Sequence, residues 1–138
     1  MTEYKKLGGM TDPFIPDHEQ VEVEYFTGEK IHVDKGMKDL LTRIWKLKVP
    51  TELSCENRVE NCNKFYISFQ LEVYQDFLSL LKSKNKNLMK LFHDNQFTRT
   101  HLQAFTNKDN GEIRWQAMMF VPTSRMPKII EEWDKTFD

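Results

Sequence analysis

The pair Asn110-Gly111 stands between two stretches of alternating polarity, FTRTHLQAFTNKD and EIRWQAMMFV, and it constrains this chain more than any other feature. Asn-Gly is the favoured pair for a tight type I′ turn, whose two central residues both need positive φ. An antiparallel hairpin is therefore expected near the C-terminal end. With a two-residue turn, Thr106, Ala104 and Leu102 oppose Trp115, Ala117 and Met119. The other face then brings His101 beside Phe120 and Gln103 beside Met118.

The remaining elements follow from periodicity. VEVEYFTGEKIHV reads as a first hairpin with the loop Thr27-Gly28-Glu29, Tyr25 opposite Ile31, Val23 opposite Val33, and Glu24 facing His32. Asp34 is placed to cap a helix over about residues 36–48, where Met37, Leu40, Leu41, Ile44 and Trp45 recur at helical spacing. KFYISFQ alternates as a half-buried strand. A second helix is expected over about 72–83, LMKLFH reads as a further short one, and the last starts near Thr123 or Ser124. The expected class is α+β, in the order β-β-α-β-α-β-β-α, with helices on one face of a mainly antiparallel sheet. Residues 1–20 carry Gly8-Gly9, Pro13 and Pro16 without periodicity and read as a flexible arm, leaving 21–138 as one domain.

Composition enters mainly by exclusion. A formal net charge of −1 speaks against a dedicated duplex-DNA binder, whose affinity comes largely from phosphate neutralisation. No apolar run approaches the roughly 20 residues of a membrane helix. The first ten residues lack the apolar stretch of a secretory signal, so a cytoplasmic location is expected.

The stretch TELSCENRVENC holds both cysteines and invites two chemistries. Zinc wants about four Cys or His ligands in tight pairs, whereas Cys55 and Cys62 are six residues apart and His93 and His101 are loosely spaced. No metal and no cofactor are expected. As a nucleophile, Cys55 has Arg58 to lower its thiol pKa, Glu56 to raise it, and no general base unless His32 or His101 folds beside it. A third chemistry is recognition of single-stranded nucleic acid, which uses aromatic platforms beside cations. Tyr66, Phe105 and Phe120 fall opposite the best apolar stripe of their strands; Lys82, Lys84, Lys86 and Lys90 form a basic patch, with Arg99, Arg114 and Arg125 scattered behind it. The plainer expectation is that those aromatics pack under a helix. Trp45, Trp115 and Trp133 all read as core. There is no Walker loop, GxGxxG or HExxH.

The run VDKGMKDLLTRIWKLKVPTELSCE resembles a pattern in small phage, large-DNA-virus and bacterial proteins, in which an LxxLW-like helix leads through T-x-x-S-C-E/Q-G into a strand. Leu41 through Trp45, then Thr51, Ser54, Cys55 and Glu56 carry the match, with Asn57 where Gly is common. It covers about residues 30–70, with weaker similarity around MMFVPTSRMPKII. The resemblance implies the α+β order and a viral or phage source, with host cytoplasm or virion as location; it brings no activity. A fainter similarity links the same loop to the T-x-S-S-C-S-G-R segment of wybutosine-synthesis methyltransferases acting on tRNA.

The leading expectation is a small non-enzymatic binding module for a protein, small-molecule or nucleotide ligand. Its surface would comprise Thr51, Ser54, Cys55, Glu56, Arg58 and Arg125. The alternative is an RNA-modifying or thiol-dependent enzyme with Cys55 or Glu56 as the reactive group. A third is a structural component of a larger assembly, which requires an exposed apolar patch and self-association, so a homo-oligomer stays open.

Overall fold

The computed structural model describes residues 19–56 and 63–137; the expectations for the 1–20 arm (Glu19 and Gln20 apart), for Arg58 and for Cys62 lie outside them. Strands β1 (Gln20–Glu24) and β2 (Lys30–Asp34) form a hairpin, and a 3-10 turn at Lys35–Met37 leads into α1 (Lys38–Lys46). Then come β3 (Leu53–Cys55), β4 (Lys64–Gln70), α2 (Leu71–Lys84), α3 (Lys86–Phe92), β5 (Arg99–Thr106), β6 (Ile113–Pro122) and, after a 3-10 turn at Thr123–Arg125, α4 (Met126–Phe137). The architecture is α+β, with a two-stranded sheet β1-β2 and an antiparallel four-stranded sheet in the order β3-β4-β6-β5. The expected order changes by one strand and one helix: β3 forms inside the segment read as a loop, and LMKLFH is a separate α3 with Asn85 as its N-cap.

Both hairpins sit two residues from their expected registers, for reasons in their turns. Tyr25 N bonds Glu29 O at 2.7 Å, which makes the first loop Phe26-Thr27-Gly28 and pairs Val23 with Ile31 and Val21 with Val33. Gly28 (φ +92°) occupies the last loop position, where a three-residue loop needs a left-handed residue. The second hairpin closes at Asn107 and Glu112 rather than around a two-residue turn. The Asn107 and Asn110 side chains accept from Asp109 N and Glu112 N, both at 2.8 Å, and these Asx bonds stabilise the longer loop. Leu102 therefore opposes Ala117, Ala104 opposes Trp115, and His101 opposes Met118. A shift of two keeps every side chain on its expected face.

One core fills the space between the helices and the four-stranded sheet. Leu40, Leu41, Ile44 and Trp45 of α1, Tyr74, Phe77 and Leu81 of α2, Leu88 and Phe92 of α3 and Ile129 and Trp133 of α4 share a buried cluster with Phe65, Ile67, Phe69, Ala117, Met119 and Val121. Phe77 lies at the centre of an aromatic chain, 5.3 Å from Phe69, 5.5 Å from Phe92 and 6.2 Å from Trp133 between ring centroids. Trp45 and Trp133 are core, as expected, but Trp115 is 49 % exposed. Its strand face is the core face; the helices, however, cover Ala117, Met119 and Val121 and stop short of the β5-β6 tip. Among the described residues no helix is long and apolar enough to cross a membrane.

Candidate functional site

The segment 51–56 is built into the fold by bonds that account for most of its polar residues. The indole of Trp45 donates to Thr51 Oγ1 at 3.0 Å. Ser54 opposes Ile67, whereas Cys55, which is buried, opposes Tyr66. Glu56 N donates to Asp34 Oδ2 at 2.8 Å, while Gly36 N donates to Glu56 Oε1 at 2.9 Å. This exchange resembles a capping box whose two halves are about twenty residues apart. Asp34 stands at the N-cap position of the 3-10 turn ahead of α1, as expected, but its side chain makes no cap bond to that turn. A Cβ on Gly36 would occupy the space of the Glu56 carboxylate, so a larger residue there would displace that side chain.

Arg125 is engaged elsewhere. Its guanidinium donates to Asp94 Oδ2 and, at 2.9 Å, to Leu91 O, and it lies over the Phe97 ring, 5.7 Å from the centroid. Asp94 Oδ1 also accepts from the amides of Gln96, Phe97 and Thr98. Burial works to raise the Asp94 pKa, but the three amides and Arg125 outweigh it and hold the carboxyl well below the usual carboxylate range. These contacts form a brace between the α3-β5 connection and the start of α4, away from residues 51–56.

The thiol chemistry loses one of its bases to geometry. His101 is on β5 and Cys55 on β3, three strand spacings apart, or roughly 14 Å. His32 faces Glu22 on the separate β1-β2 hairpin. No group of three or more His, Cys, Asp or Glu side chains placed to hold a metal occurs among the described residues.

A different surface carries the aromatics. The register places Tyr66, Phe120 and Arg99 in one row across β4, β6 and β5, with Cys55 at the β3 end. The next row is Leu53, Ser68, Met118 and His101, followed by Gln70, Gln116 and Gln103, and then Arg114 beside Phe105. None of these residues belongs to the helix-side cluster, and strand alternation turns them to the opposite face. Among the described residues no helix shares a buried cluster with Tyr66, Phe105 and Phe120. Tyr66 and Phe120 are 5.5 Å apart between centroids, and the His101 ring meets Phe120 edge-on at 5.6 Å. Tyr66, Phe105, Met118 and Phe120 are half-buried, while Arg99, His101 and Gln103 are exposed.

Charge and polarity on this face are uneven. Lys64, Arg99 and Arg114 occupy strand positions on it, and none of its strand positions is acidic. Glu52, just before β3, reaches in to pair with Arg114 at 3.0 Å and to accept from Gln116 Nε2 at 3.2 Å. Gln116 Nε2 is also 3.2 Å from Ser68 Oγ, which accepts from Leu53 N at 2.9 Å. Gln116 is fully buried, and among the described residues its Oε1 finds no hydrogen-bond partner. Such an orphaned amide oxygen costs about 1–3 kcal/mol unless a water or a ligand donor meets it. The lysines at 82, 84, 86 and 90 belong to α2 and α3, on the helical side. The cations beside the aromatics thus come from the strands, a juxtaposition that the β4-β6 and β5-β6 pairings create together.

Compared with family models, with curated proteins and with solved structures, the chain finds no match in any of the three. Roles for its residues therefore rest on their own geometry.

Proposed function

We propose that the protein is a small non-enzymatic binding module whose working surface is the face of the four-stranded sheet on which no helix of the described residues packs (the helix-free face), and that its ligand is a single-stranded nucleic acid. One observation carries the reading: the Tyr66-Phe120 pair, with His101 edge-on beside it, lies between Lys64, Arg99 and Arg114 on a face without acidic strand positions. In a chain of net charge −1, this face carries basic strand residues and no acidic ones beside its half-buried rings. Flat rings take stacked bases of any sequence, and neighbouring cations follow the phosphates. Cys55 at the end of the aromatic row keeps part of the 51–56 segment at this surface, without a catalytic role.

Fluorescence anisotropy with a labelled single-stranded oligonucleotide tests the reading. Saturable binding is expected, weakened about five- to 150-fold by Tyr66→Ala or Phe120→Ala, as the loss of about 1–3 kcal/mol per stacked base requires. Two phosphate contacts, from Lys64 and Arg99, with Arg114 held by Glu52, predict a slope of roughly −1.4 in log K against log salt. Absence of binding at low salt, or binding that both alanine variants retain in full, would defeat the proposal.

A further inference from the structure

Strand β5, eight residues from Arg99 to Thr106, is an edge strand among the described residues, where its strand partner is β6. The opposite edge is a three-residue β3 that packs beside β2. Natural sheets defend long edges with lysine, proline, a bulge or a covering element, because unpaired N–H and C=O groups accept another strand. Among the described residues β5 has none of these: its register runs unbroken from Arg99 to Thr106, it contains no lysine or proline, and six of its eight residues are exposed. Next to this edge, on the helix-side face beyond the reach of the helices, Leu102, Ile113 and Trp115 are 54 %, 62 % and 49 % exposed. An undefended edge bordered by a large apolar patch is the pattern of a surface that is covered in the working state.

We infer that a second copy of this chain covers it, by antiparallel pairing of β5 with β5 about a two-fold axis normal to the sheet. The occupant is selected by self-complementarity. Such an axis keeps each face on its own side, and directly opposed residues in antiparallel strands share a face. Even-numbered residues therefore meet even-numbered ones, and Leu102 faces its own copy or Ala104 across the axis. Because Ala104 neighbours Trp115 on the inner side, the two patches join into one stripe across the seam. Apart from His101, the only ionisable residue of β5 is Arg99 at its start, so in either register arginine does not face arginine. The same axis sets the two helix-free faces side by side, although the pairing does not depend on what those faces bind.

Analytical ultracentrifugation over a concentration series tests the inference on the full chain. The wild type is expected to approach twice the 16.5 kDa of one chain. Leu102→Lys and Leu102→Glu should each give monomers with an unchanged circular dichroism spectrum, since the side chain they replace is more exposed than buried. Mixing the two variants should restore the dimer by placing opposite charges across the axis. Trp115→Ser, on the neighbouring strand, should weaken the dimer at least ten-fold and gives an independent reading if a Leu102 variant fails to fold. A wild type that stays monomeric throughout, or a dimer indifferent to these substitutions, would overturn the inference. So would variants that stay monomeric after mixing.

Discussion

On β4, Phe65, Ile67 and Phe69 turn to the helices and are fully buried, while Tyr66, Ser68 and Gln70 turn the other way. On β6, Ala117, Met119 and Val121 join the core, while Arg114, Gln116, Met118 and Phe120 do not. One backbone thus presents two surfaces of different chemistry. The helix side is predominantly apolar, and hydrophobic burial accounts for most of it. The other side mixes rings, cations and amides, a composition the fold does not need for its core. That difference separates the residues that build the helix-side core from those that do not, and substitutions on the two sides should separate accordingly.

The largest expected effect is on the helix side. Phe69→Ala should cost about 3–5 kcal/mol in urea denaturation, the range for emptying a fully buried aromatic site. Phe120→Ala, from a half-buried site on the other face, should cost at most about 1–2 kcal/mol. Equal losses at the two positions would break the contrast.

The brace at Asp94 should come next. Asp94→Ala removes the acceptor for three amides and for Arg125, at about 2–3 kcal/mol near neutral pH, with ligand binding unchanged. Its pH dependence has a definite sign. The folded carboxyl is depressed below the unfolded value of about 3.9, so its contribution is fully present above that pH and is lost on further acidification. The stability gap between wild type and variant should therefore be constant from neutrality down to about pH 5 and narrow below about pH 4. A gap that widened on acidification would contradict the assignment.

Smaller effects are expected at the ends of α1. Glu56→Ala removes the cap on Gly36 N and should cost about 1 kcal/mol. Lys48 has a left-handed backbone (φ +64°) just after α1, a position that glycine fills without strain. Lys48→Gly should raise stability by about 0.5–1 kcal/mol, read as a higher denaturation midpoint. Neither change should alter binding at the helix-free face.

Much of this division was legible in the sequence, because alternation assigns faces even when the register is wrong. Tyr66, Phe105 and Phe120 read correctly as opposite the apolar stripe, although both hairpins were placed two residues off. The turns caused that error: Asn107 and Asn110 build a longer loop through Asx bonds, and Gly28 takes the final loop position. What alternation does not carry is which strands are neighbours and how far a helix reaches. The β4-β6 pairing that brings Tyr66 to Phe120 spans more than fifty residues, and no local pattern announces it. The exposure of Trp115 depends on where the helical layer ends. Leu53–Cys55 was too short to read as a strand, and the Glu56-Gly36 and Arg125-Asp94 contacts join residues far apart in the chain.

The central claim is that the helix-free face, and not the lysine-bearing helices or the 51–56 segment alone, is the binding surface. Titration of the isotope-labelled protein with a single-stranded oligonucleotide, followed by NMR, tests it most directly. The account predicts progressive shifts at Tyr66, Arg99, His101, Arg114, Met118 and Phe120, with Lys82, Lys84, Lys86 and Lys90 unmoved. Shifts confined to those lysines, or none at saturating oligonucleotide, would contradict it.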